Sequence, residues 1–378
     1  MTRMPLADSG LVRPVTLGPL TEEPLVSVLI TNHNYERYIG EAIQSVLAQT
    51  YPNFEVVVCD DGSTDNSCEV IDAWCKRDPR VWLVRQPNGG QGAALNAAFS
   101  AAKGDVIVLL DGDDMAVENR LALIIQAFHR HPDAGTVTHA LRILDPQGRQ
   151  HGRDPEEPLD EGWLAPALLR GPEPVFPPTS GLAIRAEIAK LVFPLPCKLI
   201  PKAHWDWVVR EGAAFLAPVA ALSEAPGIYR LHGHNFFGHS RLTTLEQIEH
   251  RLDGLSGAME GRRIYARAIF NSEPDPHECD SVSGVLILSR AVLRGERMSR
   301  SQISRYARGK SRYIWSLLFL LPSSVRSRIY LWGRNTQIPW KARRLKGQAV
   351  RLLESLGAAL GMRWKPGRRV HQTRVNLQ

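Results

Sequence analysis

Short apolar runs, each closed by a polar cluster, alternate through the first 140 residues with stretches whose apolar side chains recur at three- and four-residue steps. The runs Val26–Thr31, Phe54–Cys59, Val81–Val84 and Asp105–Leu110 read as strands. Within the last of them Val106–Leu110 holds no polar residue, the mark of a strand buried on both faces. Ile39, Ala42, Ile43, Val46 and Leu47 fall on one face of a helix that ends at Pro52 and Asn53. Further helices are predicted over Ser67–Lys76, from the glycine-rich turn Asn88-Gly89-Gly90-Gln91-Gly92 to about Ala102, and over Glu118–Arg130 ahead of Pro132, followed by a strand at Thr136–Ala140. Strands and helices alternating over short links predict βαβ units, hence a mostly parallel sheet with helices on both faces.

The alternation lapses near Asp145. Residues 145–180 hold eight prolines and predict a hairpin turning at Asp145-Pro146-Gln147-Gly148, then loops. A strand at Gly181–Arg185, a helix at His204–Phe215, a strand pair at Pro218–Ala221 and Gly227–Leu231, and a helical pattern from about Thr243 follow. The expected layout is a loose leader over 1–24, one α/β domain over 25–240 divisible at 145/146, and a helical extension over 241–378.

Composition is that of an ordinary globular chain, with 44% hydrophobic and 22% charged residues, so the distribution of charge says more than the total of +7. From Arg294 onward 20 Lys and Arg face only Glu296 and Glu354, a balance of +18 that leaves −11 on the rest. Five cysteines without metal spacing point to a reducing compartment. MTRMPLADSG lacks the apolar core of a signal peptide, and no apolar run reaches the roughly 18–20 residues that span a bilayer. Segment 294–351 mixes Arg and Lys with Tyr313, Trp315, Phe319, Tyr330 and Trp332, a pattern suited to an anionic membrane surface. The expected location is therefore cytoplasmic, peripheral on the inner face of the cell membrane. A solvated helical face is the alternative, and the absence of a nucleic-acid motif leaves nucleic acid out of the expected partners.

Chemistry concentrates where strands end. Asp111, Asp113 and Asp114 close the central strand, and three anions within four residues repel one another unless something positive joins them. A hard divalent cation, Mg2+ or Mn2+, is the natural counter-charge for oxygen ligands. Thr31, Asn32 and Asn34 end the first strand and Asp60 and Asp61 the second. In a doubly wound sheet these three ends open on one crevice, suited to a base, a ribose and a metal-bound diphosphate. No GxGxxG follows the first strand and no P-loop is present, which argues against a dinucleotide fold.

The stretches VSVLITNHNYERYIGEAIQSVLAQTYPNFEVVVCDDGSTDNS and NGGQGAALNAAFSAAKGDVIVLLDGDD resemble the family 2 inverting glycosyltransferases over roughly residues 25–240. The resemblance implies a GT-A fold, Rossmann-like and mostly parallel, acting on a nucleotide-diphospho-sugar such as a UDP-sugar and a carbohydrate or lipid-linked acceptor. It places Thr31 and Asn34 beside the nucleotide and Asp61 on the base, with Asn96 on the glycine-rich helix. Asp111, Asp113 and Asp114 become its DxD-type motif, one or two binding metal and another the ribose, with the assignment left open. Leu95 stands where many members carry an arginine, so a phosphate role for that helix is not implied.

For the acceptor half, the resemblance makes Asp206 in His204-Trp205-Asp206-Trp207 the base, with His204 as runner-up. His232, in Tyr229-Arg230-Leu231-His232-Gly233-His234-Asn235, becomes a further metal ligand or diphosphate donor. Trp205 and Trp207 suit a sugar platform and Ser180 the acceptor-side wall. The rivals are a sugar nucleotidyltransferase, which needs a glycine-rich basic loop that Thr31–Glu36 does not supply, and a non-catalytic membrane-associated scaffold.

Overall fold

A computed structural model describes residues 13–170, 174–232, 235 and 245–272. The first four strands are β1 (Val26–Asn32), β2 (Phe54–Asp61), β3 (Val81–Gln86) and β4 (Val106–Asp111), linked by α1 (Ile39–Leu47), α2 (Ser67–Arg77) and α3 (Gln91–Ala101). Next come β5 (Met115–Ala116), α4 (Arg120–Arg130), β6 (Thr136–Thr138), β7 (Leu141–Leu144), β8 (Gln150–Asp154) and α5 (Ala165–Arg170). A 3-10 turn at Thr179–Gly181 leads into β9 (Leu182–Arg185), α6 (Ala186–Val192), α7 (Trp205–Leu216), β10 (Val219–Ala221), β11 (Gly227–Arg230) and α8 (Leu245–Phe270).

Seven strands form the main sheet in the order β10-β6-β9-β4-β1-β2-β3. The pairs β1–β2, β2–β3, β1–β4 and β10–β6 are parallel, and β9 runs antiparallel between β4 and β6. Period-two side chains explain why both faces are buried. Leu29, Val57, Ile107 and Leu109 enter one core with α3, α6, α7 and α8, while Val28, Ile30, Val56, Val58, Val108 and Leu110 enter a second with α1 and α4. The chain winds outward from β1 through β2 to β3, then returns to place β4 on the other side of β1. That reversal opens a crevice at the carboxyl ends of β1 and β4.

Three expectations are corrected. The strands at Val219–Ala221 and Gly227–Arg230 do not pair with each other: β10 joins β6 in the main sheet, and β11 joins β5 and β7 in a four-stranded sheet ordered β5-β11-β7-β8. The strand expected to Ala140 stops at Thr138, and the chain changes sheets over His139 and Ala140 into the β7–β8 hairpin, which turns at Asp145 as predicted. Residues 13–24 of the expected loose leader pack on the domain: the Val15 amide donates to the Leu216 carbonyl at 2.7 Å, and Val15, Leu17 and Leu20 are partly buried. The basic segment 294–351 lies outside the described residues. Among the described residues no helix is long and apolar enough to cross a membrane.

Candidate functional site

Register places Thr31 of β1 directly beside Asp111 of β4, at the mouth of the crevice. Thr31 Oγ1 donates to Asp111 Oδ1 at 3.4 Å, and Gln91 Nε2, at the first turn of α3, donates to the same oxygen at 3.2 Å. Asp113 points elsewhere. Its Oδ2 lies 3.0 Å from His232 Nε2 and accepts from Asn235 Nδ2 at 3.3 Å, and the Tyr35 hydroxyl donates to its carboxylate. The His232 ring is stacked on Tyr38, with centroids 4.4 Å apart, and meets Tyr35 edge-on at 5.8 Å. Arg230 packs its guanidinium on the Tyr38 ring, donates Nε to the Asp113 carbonyl at 2.5 Å and pairs with Glu41. These contacts tie the DGDD turn to β11 and α1.

Asp114 and Ser180 have different work from that expected. Ser180 is fully buried, donates its hydroxyl to Asp114 Oδ2 at 2.6 Å and accepts the Asp111 backbone N–H at 3.0 Å. Asp114 Oδ1 accepts the Arg230 N–H at 3.2 Å, and the residue is 0% exposed. Asp114 thus braces the 3-10 turn against β11, and Ser180 is a bridge inside the fold and not an acceptor wall.

The acidic turn is electrostatically under-satisfied. Burial, then the charges of Asp113 and Asp206, push Asp111 up to about 7. Burial, then Asp113 and Asp111, hold Asp114 well above its ordinary value. Tyr35 is raised by its burial and by Asp113 and Asp111, and Tyr229 by its burial and the same group of acids. Beneath the turn lies Arg120, a fully buried residue that sequence periodicity assigned only to a helix start. It donates Nη2 to the carbonyls of Leu109 (2.9 Å) and Ser180 (2.6 Å), and Nε to His139 Nε2 at 3.0 Å. Burial lowers it to about 10, so it stays charged at neutral pH. Burial, then Arg120, hold His139 near 3, so its neutral ring accepts at Nε2 and donates Nδ1–H to the Ala140 carbonyl. The partners of Arg120 lie 11 to 60 residues away in the chain, too far for any local pattern to announce them.

At the end of β2 the acids have donors in plenty. Asp60 accepts from the Ser63 backbone and hydroxyl and from Asn32 Nδ2 at 2.7–2.9 Å. Burial would raise it, but those donors and Cys68 outweigh burial and hold it below its ordinary value. Asp61 accepts from Gln86 Nε2 at 2.6 Å and from the Gly89 and Gly90 amides at 2.8 and 2.7 Å. It therefore holds the glycine-rich turn closed over β2. Gly62 (φ +71°) makes this approach possible, since a Cβ there would lie 2.6 Å from the Asn88 nitrogen. Asn34, in the left-handed region at φ 58°, accepts the Thr64 amide at 2.7 Å and pins the same loop. Asn96 is removed from the nucleotide side: its amide donates to the Leu195 carbonyl at 3.1 Å and accepts the Leu195 N–H at 2.6 Å, a clamp between α3 and the segment before α7.

Asp206 lies in the first turn of α7, nearly buried, close enough to Asp111 to raise it. Burial raises Asp206 itself, opposed by Arg210. Trp205 is a core residue packed on α3, where a Cβ at Gly92 would meet its ring at 2.5 Å, so it is no sugar platform. Trp207 is partly buried, with the Arg210 guanidinium 4.4 Å from its ring centre. His204 packs on Gly254 of α8 and edge-on to Trp207, and burial, then Arg251 and Arg210, hold it near 3. The ring is thus enclosed between the two helices.

Among the described residues no three His, Cys, Asp or Glu side chains converge as a cation cage. Magnesium-type sites commonly take one or two protein ligands and complete their shell with substrate phosphate and water. Asp113 Oδ2 and His232 Nε2, 3.0 Å apart, fit that sparse donor set, and the buried acids behind them repel one another.

The sequence profile described as Glycosyl transferase family 2 matches residues 27–189. The chain is 39% identical over 226 residues to an uncharacterized glycosyltransferase, alr2836, of Nostoc sp., covering 59% of this chain and 69% of that protein. It is 38% identical over 135 residues to a hyaluronan synthase of Pasteurella multocida, covering 36% of this chain but only 14% of the synthase. Among solved structures, it is similar to the mannosyltransferase PcManGT of Pyrobaculum calidifontis, solved with GDP-Man and Mn2+, at 17% identity and a TM-score of 0.48, over 90% of this chain and 84% of that one.

Proposed function

Since the chain belongs to the family 2 glycosyltransferases, we propose that it moves a sugar from a UDP-sugar to an acceptor hydroxyl with inversion, in a divalent-cation-dependent reaction that builds a glycan. The observation that supports this is the pairing of Thr31 with Asp111 at the β1/β4 crevice, with the charges of Asp113 and of Asp206 on α7 close enough to act on Asp111. Relatives named as hyaluronan and chondroitin synthases support the glycan-building direction.

In this reaction Thr31 and Asp61 flank the base. A carboxylate is a pure acceptor and suits the imide N–H of uracil. Asp111 faces the ribose and sugar, and Asp113 with His232 would hold Mn2+ or Mg2+. When bound, the cation supplies positive charge for the departing diphosphate. Asp206 takes the proton of the acceptor hydroxyl, whose oxygen forms the bond to the anomeric carbon as the bond to the diphosphate breaks. The transferred sugar carries oxocarbenium character as in glycoside hydrolysis. A buried carboxylate with a raised affinity for protons is a better base at neutral pH than a solvated one.

A panel of UDP-, GDP- and dTDP-sugars incubated with Mn2+ and followed by nucleotide release tests the donor class, and no release from any of them sinks the proposal. Asp206→Asn is expected to leave UDP affinity within about twofold and lower turnover at least about 10²-fold. Retained turnover would remove Asp206 from the chemistry. The +18 segment beyond Arg294 is assigned to an anionic membrane surface carrying a lipid-linked acceptor. Its test is salt-sensitive co-sedimentation with phosphatidylglycerol vesicles, and equal recovery with neutral vesicles would refute it.

A further inference from the structure

Arg210 follows Asp206 by one helical turn and is as deeply buried, at 6% against 8% exposure. Its guanidinium carbon lies 4.4 Å from the centre of the Trp207 ring and 5.1 Å from that of Phe176. Nη1 donates to the Pro177 carbonyl at 3.2 Å and stands 3.9 Å from Asp206 Oδ2. The two rings and the carbonyl therefore fix the guanidinium plane without help from the carboxylate. A separation of 3.9 Å is beyond a hydrogen bond but well inside the range of strong charge interaction. Asp206 receives a positive field while keeping lone pairs for something else; the hydrogen bonds it accepts from backbone come from its own first turn.

We infer that Arg210, clamped between Trp207 and Phe176, is a positioning residue that keeps Asp206 ionised while leaving its carboxylate open to the acceptor hydroxyl. This rests on the assignment of Asp206 as the base. A direct, bidentate Arg–Asp pair would ionise the acid equally well but would occupy the oxygens that must accept the proton. The aromatic clamp resolves that conflict by holding the cation near and not in contact.

The other groups facing Asp206 do not supply this charge. Glu211 on the same helix is negative and is itself paired with Arg262 of α8 through two hydrogen bonds of 2.6 and 2.8 Å. Asp111 approaches from the end of β4 and is also acidic. His204, just before α7, is held neutral by its burial.

The test is a pH titration of the full chain with 13C-labelled aspartate carboxyls, the Asp206 resonance being identified by its loss in Asp206→Asn. In Arg210→Met the Asp206 midpoint is expected to rise by about one to three pH units, the range typical for losing an opposite charge at this distance. Arg210→Lys, which keeps the charge, is expected to shift it by less than half as much. Where the methionine variant does not fold, Arg210→Gln removes the same charge. An Asp206 midpoint unchanged in the uncharged variant overturns the inference. The acidic limb of turnover against pH, followed with the donor that the panel identifies, is expected to move with the NMR midpoint. Turnover that survives Asp206→Asn would instead overturn the base assignment, so the two failures are told apart.

Discussion

The two acidic strand ends of this sheet are near-copies in sequence and opposites in electrostatics. Asp60 and Asp61 close β2 and Asp111, Asp113 and Asp114 close β4, one strand apart on the same edge. At β2 every acid meets donors: Ser63 of its own loop and Asn32 of β1 for Asp60, Gln86 of β3 and the glycine amides before α3 for Asp61. At β4 the acids also have donors, Thr31 and Gln91 for Asp111, His232 and Asn235 for Asp113, Ser180 and the Arg230 amide for Asp114, but burial and one another's charge drive two of them toward protonation. Carboxylates whose donors outweigh their burial stay ionised as structural elements, and carboxylates buried against like charges favour a counter-charge. A count of acidic residues cannot make that distinction, but the burial and crowding of their charges can.

The largest effects should come from substituting one acid at each end. Asp113→Ala is expected to lower Mn2+-dependent turnover of the folded fraction by about 10³-fold or more, even though the buried carboxylate also holds His232 and Asn235. Asp60→Ala is expected to act on stability instead. Losing the acceptor for Ser63 and Asn32 should cost about 2–3 kcal/mol of stability by denaturant titration, with UDP affinity kept in the folded fraction. If both substitutions hit the same property, the two ends are not different in kind.

How much of this could be read from the chain alone follows from the range of the interactions. β1 to β4 and the crevice between them were legible, because uninterrupted apolar runs and short βαβ links are local patterns and the handedness rule does the rest. The antiparallel insertion of β9 between β4 and β6 was not, because it arrives after a proline-rich excursion that carries no period. The acids of the site were legible as a motif, but their separate tasks were not. Asp114 and Asp113 are neighbours in sequence, yet one is buried against Ser180 from 66 residues away and the other faces His232 from 119 residues away. Asn96 likewise looked like a ligand contact because its partner, the Leu195 backbone, is 99 residues distant.

The two ends should also respond to pH with opposite slopes. Asp60 is lowered in the folded state, so its contribution is present above the unfolded carboxyl value near ~3.9 and is lost as pH falls. Asp111 is raised to about 7, with Asp114 shifted the same way, so the folded state binds their protons more tightly than the unfolded chain does. Between about pH 4 and 7 the cation-free protein should therefore lose stability as pH rises. Mn2+ should reverse this loss. At about 100 times its dissociation constant a ligand adds about 2.7 kcal/mol, so the melting temperature should respond to Mn2+ strongly at pH 7.5 and weakly at pH 5. A melting temperature indifferent to Mn2+ at both values would leave the β4 acids without their proposed counter-charge.

The smallest effect probes the one residue that belongs to both classes. Asp61 is satisfied by three donors in this structure, yet it is the acid proposed to meet the base. Its two oxygens offer about four lone-pair directions, so one remains for a uracil imide. Gln86→Ala removes the side-chain donor at 2.6 Å and leaves both glycine amides in place. Stability should fall by only about 0.5–1.5 kcal/mol, because the turn keeps its two backbone anchors. UDP binding, measured by calorimetry, should tighten by a few-fold, since an amide that competes with the base for the same carboxylate is gone. Uridine and cytidine diphosphates should separate in the same experiment, because cytosine has no imide N–H to donate. Equal affinities for the two, unmoved by Gln86→Ala, would assign Asp61 wholly to the structural class and leave base recognition to Thr31 and its neighbours.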